Sequence, residues 1–521
     1  MLTSIILIPF LAALVMVCIP ARYRFLVRIL AILATFVTLV LALKMFIGFE
    51  AAPAGDGGYK YLQQIPWVEL LRIHYVVGVD GINVGLILMG ALVAFASVCV
   101  SWEIQSHEKE FYVLLMIMIG GVLGAFASLD LFFFYAFHEL ALVPTFIMIG
   151  IWGRGPDKNY ATFNITLYLS AGALIALFGL IALYIQVPQG SRTSNIIELT
   201  RYFAGKPMAV GAQSFIFPLL MFGFGILVSL WPFHTWAPLG YGAAPTATAM
   251  LHAGVLKKFG LYGLLRIALP IMPSAAQSWL GWLAVMCLGN ILYCGWVAMR
   301  QRDLNQMVGN SSVAHMGFAF LGLASLTLLG VTGAVLVMIA HGLLAALTFG
   351  LSGYLRNATG TLNMDELGGL LRRMPFIGTA MIMAMLAGCG LPGFANFAGE
   401  ISVLFGAWNS TLGHAPRLVT AAAWGGLVIG AIYMLRAVRS IWHGESSHPP
   451  EGGLLPEANA WRRLPFVLLL IGLLFFGIFP GVLANRIKDS AAGIVKLAGA
   501  PAAAAVPAAV AAAAPPAANS P

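Results

Sequence analysis

Charge is what this sequence has least of: Asp, Glu, Lys and Arg together make up 9% of its 521 residues, against 60% hydrophobic. A soluble domain carries roughly 25% charged and about 45–50% apolar residues, so this chain lacks the polar surface to cover soluble cores. Its five cysteines (Cys18, Cys99, Cys287, Cys294 and Cys389) show no CxxC spacing and all sit in apolar runs. No set of them could ligate an iron–sulfur cluster or a haem, and the plain reading is small residues in helix packing. No Gly-rich nucleotide loop follows a strand pattern. The chain is therefore expected to hold no cofactor and no metal, and any energy must come from a partner or an ion gradient. The formal net charge of +9 does not mark a nucleic-acid partner. The basic residues are scattered at the ends of apolar runs and form no stripe, which is the pattern of topology signals.

What is present is apolar length, with a mean hydropathy of +0.91. Runs of about 20 apolar residues recur from end to end, the length a helix needs to cross a bilayer. They are continuous rather than alternating, so helices are favoured over a barrel. The fold class is thus all-α integral membrane, with about fourteen spans, given boundary errors of roughly ±2–4 residues. They fall near 2–20, 26–47, 80–101, 112–129, 131–151, 163–187, 214–235, 245–268, 278–299, 308–328, 330–354, 376–408, 416–440 and 463–483. The first reads as a retained span, without a cleavage-type boundary. The longest connections are 48–79, 188–213 and 441–462, and 498–521 is an Ala/Pro tail expected to be disordered. Loops after odd-numbered spans hold more Lys and Arg, among them Arg22, Arg24, Arg28, Arg372 and Arg373, than loops after even ones. The positive-inside rule then leaves both termini outside.

Two spans carry helix breakers. One contains Trp231-Pro232-Phe233-His234 and the other Gly390-Leu391-Pro392-Gly393. Proline removes a backbone donor and glycine relaxes the chain, so both spans should be broken helices. They lie five spans apart, which suggests two five-helix units, 112–268 (spans 4–8) and 278–440 (spans 9–13), the second inverted. Residues 1–111 would hold spans 1–3, and 441–497 a connection with span 14. Matched breaks in inverted repeats point to an ion path in transporters; a single broken span would be an ordinary kink.

Ionisable residues lie deep in these runs: Glu139 in LFFFYAFHELALVPTF, Lys258 in MLHAGVLKKFGLYGLLR, His315 in SSVAHMG, His341 in VMIAHGLLAAL and Glu400 in LPGFANFAGE. Glu139 is about nine residues into its span, roughly 13 Å deep in a core of about 30 Å. A charge there costs at least about 2.5–3.5 kcal/mol, so these groups should face the bundle interior or internal water. Burial disfavours their charged forms, and groups so poised can take up and release protons. The plainer alternatives are a structural ion pair for Glu139, Lys258 and Glu400, and carbonyl-bonded neutral imidazoles for His315 and His341. His234 and His252 are further relay candidates. His138 precedes Glu139, but HELAL lacks the second histidine of a zinc-binding HExxH, which excludes a metalloprotease.

The stretches GVDGI (78–82), LDLFFFYAFHELALVPTFIMIGIWG (129–153), PFHTWAP (232–238), APT (244–246), KFGLYGLLR (258–266), SSVAHMG (311–317), HGL (341–343), MDELGGLLRRMP (364–375) and GLPGFANFAGE (390–400) resemble the antiporter-like membrane subunits of respiratory complex I. Among these the chain-M type of bacterial NADH–quinone oxidoreductase is most similar, over 78 to about 480 of this sequence. The resemblance implies fourteen helices, inverted five-helix repeats and broken seventh and twelfth helices. It assigns Glu139 to the family's fifth-helix glutamate, Lys258 to its central lysine, Glu400 to its twelfth-helix terminal group, and His315 and His341 to the bridging histidines.

Several positions depart from the family pattern. Leu227 stands where a lysine usually partners the fifth-helix glutamate, leaving Glu139 without the cation that would favour its charged form. Leu239, Tyr241 and Ala243 replace the usual Asp, His and Glu, Asn164 a common lysine, and Asn305-Gln306 the usual Lys-Arg. The function implied is proton translocation in a complex I-like NADH–quinone oxidoreductase, a translocase whose redox sites lie in other subunits. Expected partners are other membrane-arm subunits and the lipid bilayer, in a bacterial inner membrane. The alternatives are a subunit of a multisubunit cation/proton antiporter or hydrogenase-type membrane arm, or a scaffold that no longer pumps.

Overall fold

The computed structural model describes residues 1–412, 414–444 and 458–499. Most of the 441–462 connection and nearly all of the Ala/Pro tail lie outside the described residues. In lipid no water satisfies backbone groups, so a spanning chain must bond to itself. Among the described residues ten helices are long and apolar enough to cross a membrane.

The chain opens with α1 (Leu2–Cys18) and α2 (Arg24–Ile47), then crosses through α3 (Asn83–Val100), α4 (Glu108–Ala127), α5 (Leu131–Trp152) and α6 (Lys158–Ile185). A short α7 (Ile196–Gly205) precedes α8 (Val210–Val228) and α9 (Trp236–Ala243). Next come α10 (Thr246–Gly254), α11 (Phe259–Gly263), the single turn α12 (Leu269–Ile271), α13 (Pro273–Leu288) and α14 (Gly295–Arg300). The rest is α15 (Leu304–Ser325), α16 (Leu328–Thr359), α17 (Pro375–Gly388), α18 (Ala395–Trp408), α19 (Ala415–Trp442), α20 (Ala460–Ile478) and α21 (Gly481–Ala498). Large apolar side chains such as Phe25, Phe163, Phe178, Phe215 and Val428 are exposed on the outside of the bundle, as lipid contact requires. Its centre is occupied by α16, buried along its length, and by α15, buried although it is rich in Asn, Ser and His.

Both expected breaks are present, between α8 and α9 and between α17 and α18. Their freed backbone groups find different partners. At the first, Asn290 accepts from the Trp231 amide at 2.8 Å and donates to the Ser229 and Val313 carbonyls at 2.9 and 3.2 Å. At the second, Gly390 has φ +69°, and a Cβ there would meet Glu400 Oε2 at 2.7 Å, so glycine meets both the backbone and the packing demand.

The structure corrects the expected eighth span, 245–268, which is not one continuous helix. It unwinds after Gly254 at Val255 (φ −121°, ψ −62°), passes through a tight turn at Leu256–Lys258 and continues as α11 and a π-helical stretch at Leu264–Ala268. Two connections also hold structure that periodicity at membrane length passed over. Within 48–79, β1 (Lys60–Val68) and β2 (Ile73–Val79) pair antiparallel, and Val77 bridges to Ser128. Within 188–213 lies α7, and beyond α20 lies α21; both are short amphipathic helices rather than spans.

Ion pairs, one buried and one half-buried, hold the two ends of α3. Before it, Asp80 takes both Arg266 guanidinium nitrogens at 2.8 Å and also accepts from the Ile82 and Asn83 amides. After it, Glu103 bonds Arg154, Asn357 and the Thr246 amide. In the middle, α16 and α18 approach closely across small residues, the usual membrane solution where no hydrophobic drive separates helix from lipid. A Cβ at Gly399 would lie 2.8 Å from the Val337 amide nitrogen. Gly399→Val should therefore force α18 off α16 at a cost of about 1–3 kcal/mol, seen as a lowered melting temperature in detergent. Gly425→Val, where a Cβ meets nothing within 4 Å, is the control, and equal melting of the two variants would contradict the crossing.

Candidate functional site

The turn that interrupts the eighth span creates the site. With the helix unwound at Val255, the Ala253 carbonyl loses its place in the helical ladder and accepts instead from Lys258 Nζ at 2.5 Å. This anchors a fully buried lysine at the bundle centre. From there Lys258 Nζ reaches His341 Nδ1, 2.8 Å away in the middle of α16. The His341 ring faces that of His315 on α15, with centroids 5.6 Å apart. His315 Nδ1 then meets Glu400 Oε1 of α18 at 2.9 Å. All four side chains are buried.

Two cavities of about 10 Å³ flank this row, each sufficient for roughly one water. One is lined by Ser311, Ser312, His315, His341 and Thr348. The other is lined by His315, Cys389, Glu400 and Tyr433. His315 Nε2 has no protein partner. A proton can move along such a series because each neighbour is within hydrogen-bond reach or one water away.

Glu139 stands apart from the row. Its side chain is 32% exposed, whereas the adjacent His138 is buried. Successive helix residues point about 100° apart, and on α5 the inward direction belongs to Phe134, His138, Ala141 and Thr145. The depth of Glu139 in its span was legible in sequence, but its angle around the helix was not. Its carboxylate lies 3.5 Å from His138 Nδ1, and the His138 ring stacks on Phe259 with centroids 4.0 Å apart.

A second polar group adjoins the row. Lys257 is 1% exposed and donates to Ser312 Oγ at 3.2 Å, with its Nζ 5.7 Å from the centre of the Tyr241 ring. Tyr241 Oη lies 3.1 Å from His252 Nδ1, and His252 Nε2 has no partner. The sequence signal was the Lys257-Lys258 pair inside an apolar run, and both lie inside because the bundle encloses residues 243–269 on every side. His234 is buried beside Tyr293, with Nδ1 unpartnered. Of the departing positions, Leu227 is buried, and Asn305 accepts from Ser352 Oγ at 2.6 Å.

These features define a polytopic helical membrane protein with a row of ionisable side chains enclosed at its centre. The chain belongs to the NADH:quinone oxidoreductase/Mrp antiporter transmembrane family, whose model matches residues 128–424. Its relatives include NAD(P)H-quinone oxidoreductase chain 4 2 of Microcystis aeruginosa, 32% identical over 89% of this chain and 83% of that one. NADH-quinone oxidoreductase subunit M of Rickettsia prowazekii is 31% identical over 87% and 90%. F(420)H(2) dehydrogenase subunit M of Methanosarcina mazei is 32% identical over 89% and 92%. Among solved structures, a chain of respiratory complex I from Thermus thermophilus with bound NADH superposes with TM-score 0.85 at 27% identity, covering 96% of this chain and 100% of that one. A chain of the Mrp complex from Dietzia sp. DQ12-45-1b shares the fold, with TM-score 0.80 at 18% identity, covering 96% and 99%.

The exposure difference between the two carboxylates can be tested chemically. A hydrophobic carbodiimide presented from the lipid should modify Glu139 and spare Glu400, whose side chain is 3% exposed, when the chain is made without partner subunits. Mass spectrometry reads the adducts, and labelling of Glu400 in preference to Glu139 would contradict this geometry.

Proposed function

We propose that this chain is a proton-translocating membrane subunit of a complex I-type NADH–quinone oxidoreductase. It is part of the enzyme without holding a redox group. Quinone reduction elsewhere in the assembly changes the charge at one end of the row, and protons transfer along Lys258, His341, His315 and Glu400, with Glu139 contributing at the side of the bundle. The observation behind this reading is the unbroken succession of buried ionisable groups, 2.8 Å from Lys258 to His341 and 2.9 Å from His315 to Glu400, with a water-sized cavity lined by both histidines. Ionisable groups at this depth are expensive and mark ion and proton pathways. A row with one lysine, two imidazoles and one carboxylate offers alternating donors and acceptors, so a charge introduced at one end shifts the proton affinity of the next group.

In this reading the ten long helices are joined by α1, the interrupted α10–α12 stretch, α15 and the broken α17–α18 pair to make fourteen spans. Residues 112–268 and 278–440 form two inverted five-helix units, and the breaks at 229–235 and 389–394 occupy corresponding spans. The Lys and Arg asymmetry of the loops leaves both termini on the outer side of a bacterial inner membrane. The partners are the other subunits of the membrane arm.

A second reading, a subunit that assembles but no longer pumps, draws on Leu227, buried where the family pattern has a cation. The two separate in vesicles energised with NADH and quinone. Lys258→Met should assemble normally and lower the proton-to-electron ratio. An unchanged ratio at equal assembly would favour the scaffold.

A further inference from the structure

We infer that Lys257, held between the His252–Tyr241 pair and Ser312, is a second proton-carrying lysine that replaces the cation missing at Leu227 and joins the central row at its two histidines. This rests on the proton-translocation reading and adds a branch to it. Lys257 and Lys258 are neighbours in sequence and both wholly buried, yet among the described residues neither has a carboxylate within salt-bridge distance. A structural ion pair therefore does not explain Lys257, and an uncompensated buried cation is strongly destabilising. What surrounds it is a set of groups able to pass a proton.

On one side, the Tyr241 hydroxyl of α9 joins His252 of α10 at 3.1 Å, and the ring of Tyr241 lies under the Lys257 ammonium. Trp236, itself fully buried, stands edge-on to His252 with centroids 5.5 Å apart. His252 Nε2 is a buried nitrogen without a hydrogen-bond partner. On the other side, Lys257 donates to Ser312, which lines the water-sized cavity shared by His315 and His341. The groups thus run from His252 with Tyr241 through Lys257 and Ser312 to the histidine pair. Each step moves one proton between nitrogen and oxygen atoms, and no other bond changes.

The helix that carries Leu227 packs against the Leu256–Lys258 turn. The backbone that carries position 227 thus adjoins the turn that carries Lys257. Both lysines lie in the interior because residues 243–269 are buried on every side.

The test uses the assembled complex in NADH- and quinone-energised vesicles, with assembly followed by native gel. Lys257→Met should assemble and lose part of the proton-to-electron ratio, Ser312→Ala should lose a similar part, and adding Leu227→Lys to Lys257→Met should restore most of the loss. A wild-type ratio for Lys257→Met, with a lowered one for Lys258→Met, overturns the branch and leaves the central row standing. Wild-type ratios for both variants overturn the translocation reading itself. A loss that Leu227→Lys leaves uncorrected overturns the replacement. If Lys257→Met fails to assemble, Ser312→Ala decides, and a wild-type ratio there overturns the branch.

Discussion

An interrupted helix in the interior must repay every backbone group it frees, and the carbonyl freed at Ala253 is satisfied by the ammonium of Lys258. Much of the site depends on that one contact. It holds a buried lysine in a single position and aims it at His341. A continuous helix through 245–268 would satisfy Ala253 with a backbone amide and leave the lysine to find another partner. The break and the buried cation therefore stabilise each other.

The other two breaks are closed by different chemistry. Asn290 spans the gap between α8 and α9 with one acceptor and two donated bonds, a neutral closure that needs no proton. At the gap between α17 and α18 the space left by Gly390 admits the Glu400 carboxylate, and the same carboxylate meets His315. Titratable side chains thus lie at all three breaks, but only two of the breaks contribute to the row. The third break carries His234, which stands beside Tyr293 rather than in the row.

Rigidity comes from elsewhere. The Asp80–Arg266 and Glu103–Arg154 pairs clamp the ends of α3, and Arg266 also reaches the hydroxyls of Tyr59 and Tyr262. The hairpin β1–β2 and helix α7 cover one end of the bundle, tied there by Asp130, which caps α5 and accepts from Ser194. Small residues let α16 lie close against α18, so that α16 becomes a buried spine carrying His341 between Lys258 and His315. With the frame held at its ends and crossings, proton positions can change without a change of backbone.

By itself the sequence determined class, helical spans, the two proline and glycine breaks, and which ionisable residues lie deep. These are one-dimensional signals: a run of apolar residues either reaches across a bilayer or does not, and depth follows from counting along the helix. The hairpin, α7 and α21 escaped that counting because their apolar residues are too few for a span. Only the tertiary structure decided which deep residues meet. Helical phase turned His138 inward and left Glu139 at the side. The enclosure of residues 243–269 placed Lys257 and Lys258 in the interior together, and helix crossings fixed the contacts of His315 with Glu400 and of Lys257 with Ser312. Such pairings depend on rotation and contact between segments up to 85 positions apart, and no local pattern in the sequence encodes them.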